Sequence, residues 1–193
     1  MRYKNGAKSS FRERVFTVAQ YVLLTGILSF LGWVYETMFV FFMMGRWHNQ
    51  GFLTLPLCPI YGCSLLVVYL LLGTPDEGRG ILKKVENPFQ RYPLYFVFSF
   101  FIPTFAELAV GFFFDVFFDV WLWSYKGFPM NFRGYISLPI SLAWMVMIFL
   151  FMKYLFPYIK NTVFRIPKRT AFVFASFLVI AVATDLFFSF LFL

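Results

Sequence analysis

Several carboxylates lie inside stretches of sequence that otherwise belong in hydrocarbon. Glu36 is enclosed by the apolar run FLGWVYETMFVFF, and Glu107, Asp115 and Asp185 stand in or at the ends of similar runs. A charged side chain at the centre of a bilayer costs at least ~2.5 kcal/mol, so such groups normally face a bundle interior, pair or become neutral. Residues of this type could bind a polar substrate or exchange a proton with it.

The acids recur at the spacing of a helix face. Glu107 and Asp115 are two helical steps of four residues apart, and Glu36 follows Ser29 by seven residues. Each helix therefore carries its polar residues along one stripe. We expect these stripes to face inward and to line a polar cavity that opens to the outside, with Trp144 contributed by a fourth helix.

The same carboxylates also have a structural interpretation. A polar side chain that bonds to a neighbouring helix in a membrane contributes ~0.6–2 kcal/mol, and Arg46 or Arg133 could pair with an acid. Asp119, at the end of its apolar run, is better explained in this way. For Glu36 and Glu107 the sequence favours a functional role, because neither surrounding run contains Lys or Arg.

The composition predicts the elements that position these residues. The chain is 61% apolar and 13% charged, against ~25% charged in a soluble domain. Its long apolar runs predict an all-α, polytopic transmembrane helix bundle with about five membrane helices. The helices are expected at about 15–44, 56–73, 93–118, 136–157 and 169–192. They form a single transmembrane domain, 15–193, after a basic cytoplasmic tail, 1–14.

The distribution of Lys and Arg predicts the orientation of the chain. Fourteen of the 17 basic residues fall in the tail, in the connection 74–92 and in the region 153–169, which alternate along the chain. Because cytoplasmic segments carry the excess of Lys and Arg, we expect the N-terminus inside and the C-terminus outside the cell membrane. The same placement assigns the net charge of +8 to contact with lipid headgroups and not to nucleic acid.

The connections 45–55 and 119–135 are both predicted outside, and they hold the densest unusual chemistry. GRWHNQGFLTLPLCPIYG and DVWLWSYKGFPMNFRGYISLP combine aromatic residues with Gly, Pro, Asn and Arg. We expect these segments to dip back into the membrane; an interfacial aromatic belt is the alternative. The candidate substrate-binding residues are Glu36, Asn49, Tyr61, Glu107, Asp115, Trp123, Tyr125, Asn131 and Trp144, and the candidate structural polar residues are Gln50, Ser124, Arg133 and Asp185.

Five blocks of this sequence resemble a known family. FLGWVYET, NQGFLTLPLCPIYG, TFAELAVGFFFD, LWSY and NFRGYISLPISLAW occur in the order, and at roughly the spacing, of the CmpB-like integral membrane family, which carries an ABC-transporter permease label. The resemblance spans about residues 25–150 and implies a small bacterial-type, multi-helix protein that takes part in transport. The matching residues are Gly32, Trp33, Glu36, Asn49, Gly51, Phe52, Pro56, Pro59, Tyr61, Gly62, Glu107, Gly111, Trp123, Tyr125, Asn131, Gly134 and Trp144.

Two positions depart from the pattern of this family. Gln50 and Ser124 stand where the family commonly has Arg and Asp. The joint change resembles the replacement of an ion pair by a neutral hydrogen bond. We therefore expect these two side chains to have a structural role.

Catalytic and nucleotide-binding motifs are missing from the sequence. GTPDEGRG lacks the Lys-Ser/Thr of a phosphate-binding loop, and HExxH, GxSxG and CxxC do not occur. We therefore expect no ATP hydrolysis, catalytic residue, metal or cofactor in this chain, and free thiols at Cys58 and Cys63. If the family label applies, the energy for transport comes from a separate ATPase subunit on the cytoplasmic face.

The sequence favours a permease-like or transport-associated membrane protein that binds a small or amphiphilic substrate. Two alternatives stay open. One is an intramembrane enzyme that acts on a lipid or lipid-linked envelope substrate through an acid pair. The other is a non-catalytic membrane scaffold subunit in which the acids are structural.

Overall fold

The computed structural model describes residues 2–45 and 51–191. It confirms the prediction of an all-α fold, because 77% of the protein is helical. A 3-10 helix at Gly80–Lys84, a π-helical turn at Phe151–Leu155, and a ladder of β1 (Asn131–Phe132) with β2 (Ile136–Ser137) connect the longer elements. The α-helices are α1 (Arg2–Met44), α2 (Pro59–Leu72), α3 (Pro88–Phe118), α4 (Leu138–Leu150), α5 (Phe156–Arg165) and α6 (Lys168–Leu191).

Within the described residues, four helical runs are long and apolar enough to cross a membrane. They are Glu13–Phe42, Pro88–Phe118, Leu138–Arg165, which joins α4 to α5 through the π turn, and Lys168–Leu191. In contrast, α2 has 14 residues, or ~21 Å at 1.5 Å per residue, which is less than the ~30 Å of a hydrocarbon core. The second predicted crossing is therefore helical over only part of its length, and the number of crossings stays a prediction.

Helix α1 is longer than the predicted first crossing. It begins at Arg2, so the basic tail continues the helix, and its 43 residues span ~65 Å. That length is about twice the thickness of a hydrocarbon core. Part of α1 must therefore extend beyond the lipid tails.

The chain forms two compact units, and the first consists of residues 1–62 and 159–193. Here α1 packs against α6, with Leu24 and Leu28 buried on α1 and Ala171 and Ala175 buried on α6. Small residues one helical step apart allow two helices to approach closely in a membrane. A side chain at Gly26 would overlap Leu178 of α6, so close approach also depends on glycine.

The second unit consists of residues 63–158, and α3 packs against α4 within it. The rings of Phe96 and Phe149 stack at a centroid distance of 4.2 Å. Helix α3 begins after Asn87, whose side chain accepts a hydrogen bond from the backbone N–H of Phe89 at 2.9 Å. It ends at Asp119, which has a left-handed conformation with φ of 55°.

Large apolar side chains cover the outward faces of these helices. Phe105 and Phe117 on α3, and Phe177 and Phe187 on α6, are each more than 60% exposed. Monomeric soluble proteins rarely expose contiguous apolar surface on this scale. Exposed apolar faces of this kind are suited to contact with lipid tails.

Candidate functional site

The second predicted crossing, 56–73, begins as irregular chain and becomes helical only at Pro59, a position that we call the break. Residues 51–58, which we call the broken segment, are irregular, and α2 begins only at Pro59. Proline at positions 56 and 59 explains the irregular backbone, because proline lacks an N–H and disfavours helical geometry in the residue before it. Hydropathy alone predicted a helix from residue 56, because leucine side chains surround these prolines.

The broken segment runs alongside α1 and reaches the middle of its apolar run. The backbone N–H of Cys58 donates to the carbonyl of Ser29 at 3.0 Å, and Ser29 lies near the middle of the apolar run Glu13–Phe42. It also stands 15 residues before the end of α1, which corresponds to ~22 Å along the helix axis. Helix α2 therefore starts beside the middle of the apolar run of α1.

Glu36 lies at this break. The Cys58 thiol donates to Glu36 Oε2 at 3.4 Å, and the Tyr61 hydroxyl also forms a hydrogen bond with the carboxylate. Both donors flank Pro59, the first residue of α2, and the first turn of a helix carries a partial positive charge. The structure thus places a carboxylate, a thiol and a phenol together at the start of a short helix.

Two glycines bring α1 and α2 into contact at the break. A Cβ added to Gly32 would lie 2.5 Å from the Cβ of Tyr61, and one added to Gly62 would overlap the Ser29 hydroxyl and the Thr25 carbonyl. No side chain can be accommodated at either position without a shift of a neighbour. The close approach is what lets Tyr61 reach Glu36.

Asp185 on α6 holds the broken segment from another helix. Its carboxylate accepts hydrogen bonds from the Thr54 hydroxyl and, at 2.9 Å, from the backbone N–H of Leu55. Asp185 is buried, and Leu53 and Leu57 of the segment are buried too. Two acids of the first unit, Glu36 and Asp185, thus bind the same irregular stretch of chain.

The second unit has a corresponding arrangement between α3 and residues 119–137, which we call the hairpin segment. Tyr125 donates from its hydroxyl to Glu107 Oε1 at 3.2 Å, and the Tyr135 hydroxyl donates to Asp115. The bond to Asp115 raises the pKa of Tyr135. Gly111, one helical step from each acid, leaves room for Tyr135, whose ring would lie 3.3 Å from an added Cβ.

The hairpin segment is held in one conformation by its own hydrogen bonds. Trp123 Nε1 donates to the carbonyl of Tyr135 at 2.9 Å. The Asn131 side chain donates to the Phe128 carbonyl at 2.8 Å and accepts from the Gly134 N–H at 3.1 Å. These bonds close the turn that leads from β1 into β2.

The remaining candidate residues are distributed as follows. Trp144 on α4 is half-buried, and Ser124 is exposed and accepts from the Lys126 N–H at 3.5 Å. Arg133 is exposed and has a left-handed conformation. Asn49 and Gln50 lie outside the described residues, so the proposed exchange of an ion pair for a hydrogen bond stays a prediction.

The comparison with known families decides what kind of protein carries this arrangement. The family described as "Putative ABC-transporter type IV" matches residues 23–190, which is most of the chain and includes both irregular segments. The chain belongs to this family. No match was found among the curated proteins or among the solved structures.

Family membership and the apolar helices establish a multi-pass membrane protein associated with transport. The predicted resemblance to the CmpB-like permeases is therefore confirmed.

Sequence reasoning missed a polar cluster in this ABC-transporter family member, at the connection between α2 and α3. Arg91 is buried and donates to three backbone carbonyls, those of Pro75 and Asp76 at 2.7 Å and that of Val85 at 3.2 Å. We call residues 73–91 the basic connection. A single guanidinium group therefore fixes both ends of this loop, whereas the pattern of Lys and Arg in the sequence assigns Arg91 only to the prediction of orientation.

Further bonds attach the basic connection to helices of its own unit. Tyr95 donates to the Gly73 carbonyl at 3.1 Å, and Tyr92 donates to Asp76 at 2.6 Å. Lys153, in the π turn, donates to the Tyr92 hydroxyl at 3.1 Å. π-helical turns are frequent at functional sites. Together these bonds hold the basic connection, α3 and the π turn in one arrangement.

Proposed function

We propose that the protein is the permease-like subunit of a transporter and binds a small or amphiphilic substrate in an externally open polar cavity at the break before α2. The observation that carries this proposal is the bond from the Cys58 N–H to the Ser29 carbonyl at 3.0 Å, which holds the break beside the middle of the apolar run of α1. Irregular backbone at membrane depth is tolerated where it is buried in protein or lines a water-filled cavity. Transporters build substrate sites beside helix ends that lie inside the membrane, where the helix terminus supplies partial charge.

In this proposal Glu36 and Tyr61 contact the substrate. Their side chains already share a hydrogen bond with each other, and the Cys58 thiol lies 3.4 Å from the same carboxylate. A substrate group that donates hydrogen bonds would take the place of one of these donors. Asn49 is expected to orient the substrate from the preceding loop.

The polar cluster of the second unit is a further candidate binding position. Glu107 and Asp115 each accept a hydrogen bond from a tyrosine hydroxyl, and Trp123 is fixed by its bond to the Tyr135 carbonyl. An aromatic and acidic surface of this kind suits an amphiphilic molecule, with the aromatic rings contacting the apolar part. Asn131 and Trp144 are expected to support it.

A separate ATPase subunit would supply the energy, because this chain lacks the motif that binds nucleotide phosphates. The basic connection is the candidate docking surface. Its carbonyls are held by buried Arg91, so a partner would meet a preorganised loop and lose little conformational entropy on binding.

Native mass spectrometry of the protein, extracted with its surrounding lipid by an amphipathic polymer, tests both parts. We expect the wild type to retain a small or amphiphilic molecule and a subunit with a phosphate-binding loop. Glu36→Gln should lose the small molecule and keep the subunit. Glutamine still accepts hydrogen bonds from Cys58 and Tyr61, so the fold should be preserved.

Glu86→Gln is the matched control, because Glu86 is an exposed acid in the basic connection. It should carry the same small molecule as the wild type. Identical small-molecule content in the wild type and Glu36→Gln would contradict the binding role of Glu36. Absence of any ATPase from the wild-type complex would contradict the transporter-subunit part.

A non-catalytic scaffold subunit is the second candidate function. It is favoured by the contacts of the acids, since Asp185 and Asp115 bind donors of their own unit and thereby hold the irregular segments in place. A scaffold would retain a protein partner and show no effect of Glu36→Gln. The same mass spectra therefore separate the two functions.

A further inference from the structure

The hairpin segment exposes three large apolar side chains within five residues. Phe128 is 44% exposed, Met130 72% and Phe132 56%. Unlike the exposed phenylalanines of α3, these residues belong to a connection between helices, where polar residues are the rule. Exposure of three such side chains to water would be unfavourable.

The exposure of these side chains is not due to a disordered loop, because hydrogen bonds fix its conformation. The Asn131 side chain bonds to both sides of the turn, and the Ser137 hydroxyl donates to the Pro129 carbonyl at 3.0 Å. Met130 and Arg133 are held at positive φ, 49° and 52°, a conformation that costs energy in residues other than glycine. The structure therefore maintains the apolar side chains on the surface.

The exposed patch continues the lipid-facing surface of the same unit. Phe112 of α3 is exposed and packs edge-on against Tyr135 of the hairpin segment at a centroid distance of 6.2 Å. Phe117, one residue before the end of α3, is 68% exposed, and Leu138 at the start of α4 is exposed as well. Both helices thus present apolar side chains up to the border of the hairpin.

Cationic side chains accompany the patch. Lys126 Nζ lies 4.1 Å from the centroid of the Trp121 ring, and that ring stacks on Tyr135 at 5.2 Å. Arg133 is exposed between Phe132 and Gly134. Lys, Arg and Trp beside exposed apolar residues are the composition of segments that lie at the boundary between headgroups and lipid tails.

We propose that the hairpin segment is a membrane-docking element that inserts Phe128, Met130 and Phe132 into the leaflet at this end of α3. Lys126 and Arg133 contact the phosphates of anionic phospholipids. The occupant of the patch is the bilayer itself, because the patch is continuous with the exposed apolar faces of α3 and α4, which are apolar enough to face lipid tails. This inference does not depend on the proposed transport function or on which side of the membrane the segment lies.

Spin labels on the full chain in vesicles test the insertion. The labels are placed singly at Phe128→Cys and Phe132→Cys, with Cys58→Ser and Cys63→Ala to remove the native thiols. The vesicles contain equal parts of phosphatidylcholine and phosphatidylglycerol. Collision rates are measured with oxygen, which concentrates in lipid, and with a water-soluble nickel complex.

We expect both hairpin labels to collide several-fold more with oxygen, relative to nickel, than a label at Glu86→Cys in the basic connection. They should resemble a label at Phe117→Cys on the lipid face of α3. A preference for nickel would place the hairpin in water and overturn the proposal. Low collision rates with both reagents would mean that protein covers the patch, and would overturn it equally.

Vesicles of phosphatidylcholine alone test the role of the cations without changing Lys126, whose ring contact also supports the fold. We expect the hairpin labels to move toward water in these vesicles, while the Phe117→Cys label stays at the same depth. An unchanged depth at both hairpin positions would overturn the assignment of Lys126 and Arg133 to anionic phosphates.

Discussion

At the scale of single residues, the intramembrane acids bind neutral donors on the irregular segments. Asp185 accepts from a hydroxyl and a backbone N–H, and Glu36 accepts from a thiol and a phenol. Hydrogen bonds to a charged group contribute ~1.5–3 kcal/mol each when buried. The acids therefore position the segments whether or not they also contact a substrate.

The sequence placed these acids correctly on membrane helices but could not identify their partners. Thr54 and Asp185 are separated by 131 positions, and Tyr125 and Glu107 by 18. Helical periodicity relates residues three or four positions apart and carries no information about such contacts. The prediction of inward-facing polar stripes did not include which residues of other segments would bind each acid.

Gly62→Ala tests the contact between α1 and α2 at the break. The added methyl group would overlap the Ser29 hydroxyl and the Thr25 carbonyl, and a backbone carbonyl cannot rotate away. Overpacking of this kind costs about 1–3 kcal/mol, which for a chain of this size is roughly 2–12 °C in melting temperature. Size-exclusion chromatography after heating in detergent measures the shift.

Gly127→Ala is the matched control for that substitution. Nothing lies within 4 Å of a Cβ at position 127, so its melting temperature should equal that of the wild type. Equal melting temperatures for Gly62→Ala and Gly127→Ala would show that α1 and α2 are not in close contact at the break.

At the scale of elements, proline placement and a buried arginine shape the two connections of α2. The prolines at positions 56 and 59 delay the helix, so the crossing begins as irregular chain. At the other end of α2, Gly73 turns the chain with φ of 81°, and Arg91 gathers the carbonyls of the loop. Hydropathy predicted a crossing here but not how it begins or ends.

Arg91→Ala should loosen the basic connection without unfolding the membrane helices. It removes three charge-assisted bonds, and each is worth ~1.5–3 kcal/mol when buried. Since 1.4 kcal/mol is a factor of about ten in an equilibrium, trypsin should cleave at Lys83 or Lys84 at least roughly tenfold faster. Timed digestion of the purified protein, followed by intact mass, gives the rate.

The neighbouring Gln90→Ala substitution serves as control, because Gln90 is exposed. It should be digested at the wild-type rate. If Arg91→Ala is also digested at that rate, the three bonds do not restrain the loop in solution.

At the scale of the whole molecule, the positive-inside pattern predicts an odd number of crossings. Fourteen of 17 basic residues fall on one side of that arrangement, and the broken segment with α2 must then cross as one unit. In the part of the chain that the structure describes, four helical runs are long enough to cross by themselves. Whether α2 also crosses therefore decides the orientation of all the segments that follow it.

Reporter fusions test this orientation. Green fluorescent protein, which fluoresces in the cytoplasm, should be bright when fused after Glu86. Alkaline phosphatase, which is active only outside, should be active when fused after Leu193. A bright fluorescent fusion at Leu193, with an inactive phosphatase there, would mean that the number of crossings is even.

The sequence by itself determined that this is an all-α membrane protein, where its apolar runs lie and which of them carry acids. Those properties follow from the free energy of transferring each stretch of chain into hydrocarbon, which depends on local composition. The resemblance to the family also rests on short blocks of local sequence, so it could be recognised without the tertiary structure. The family match to residues 23–190 confirms it.

Only the tertiary structure decided where α2 begins, which donors bind each acid and that Arg91 organises a loop. A break at the depth of Ser29 exists because carbonyl and carboxylate acceptors on α1 and α6 compensate the backbone groups that the prolines leave outside a helix. Such compensation depends on which segments meet in space. Local composition cannot specify it, because every buried polar group needs a partner but the chain offers many.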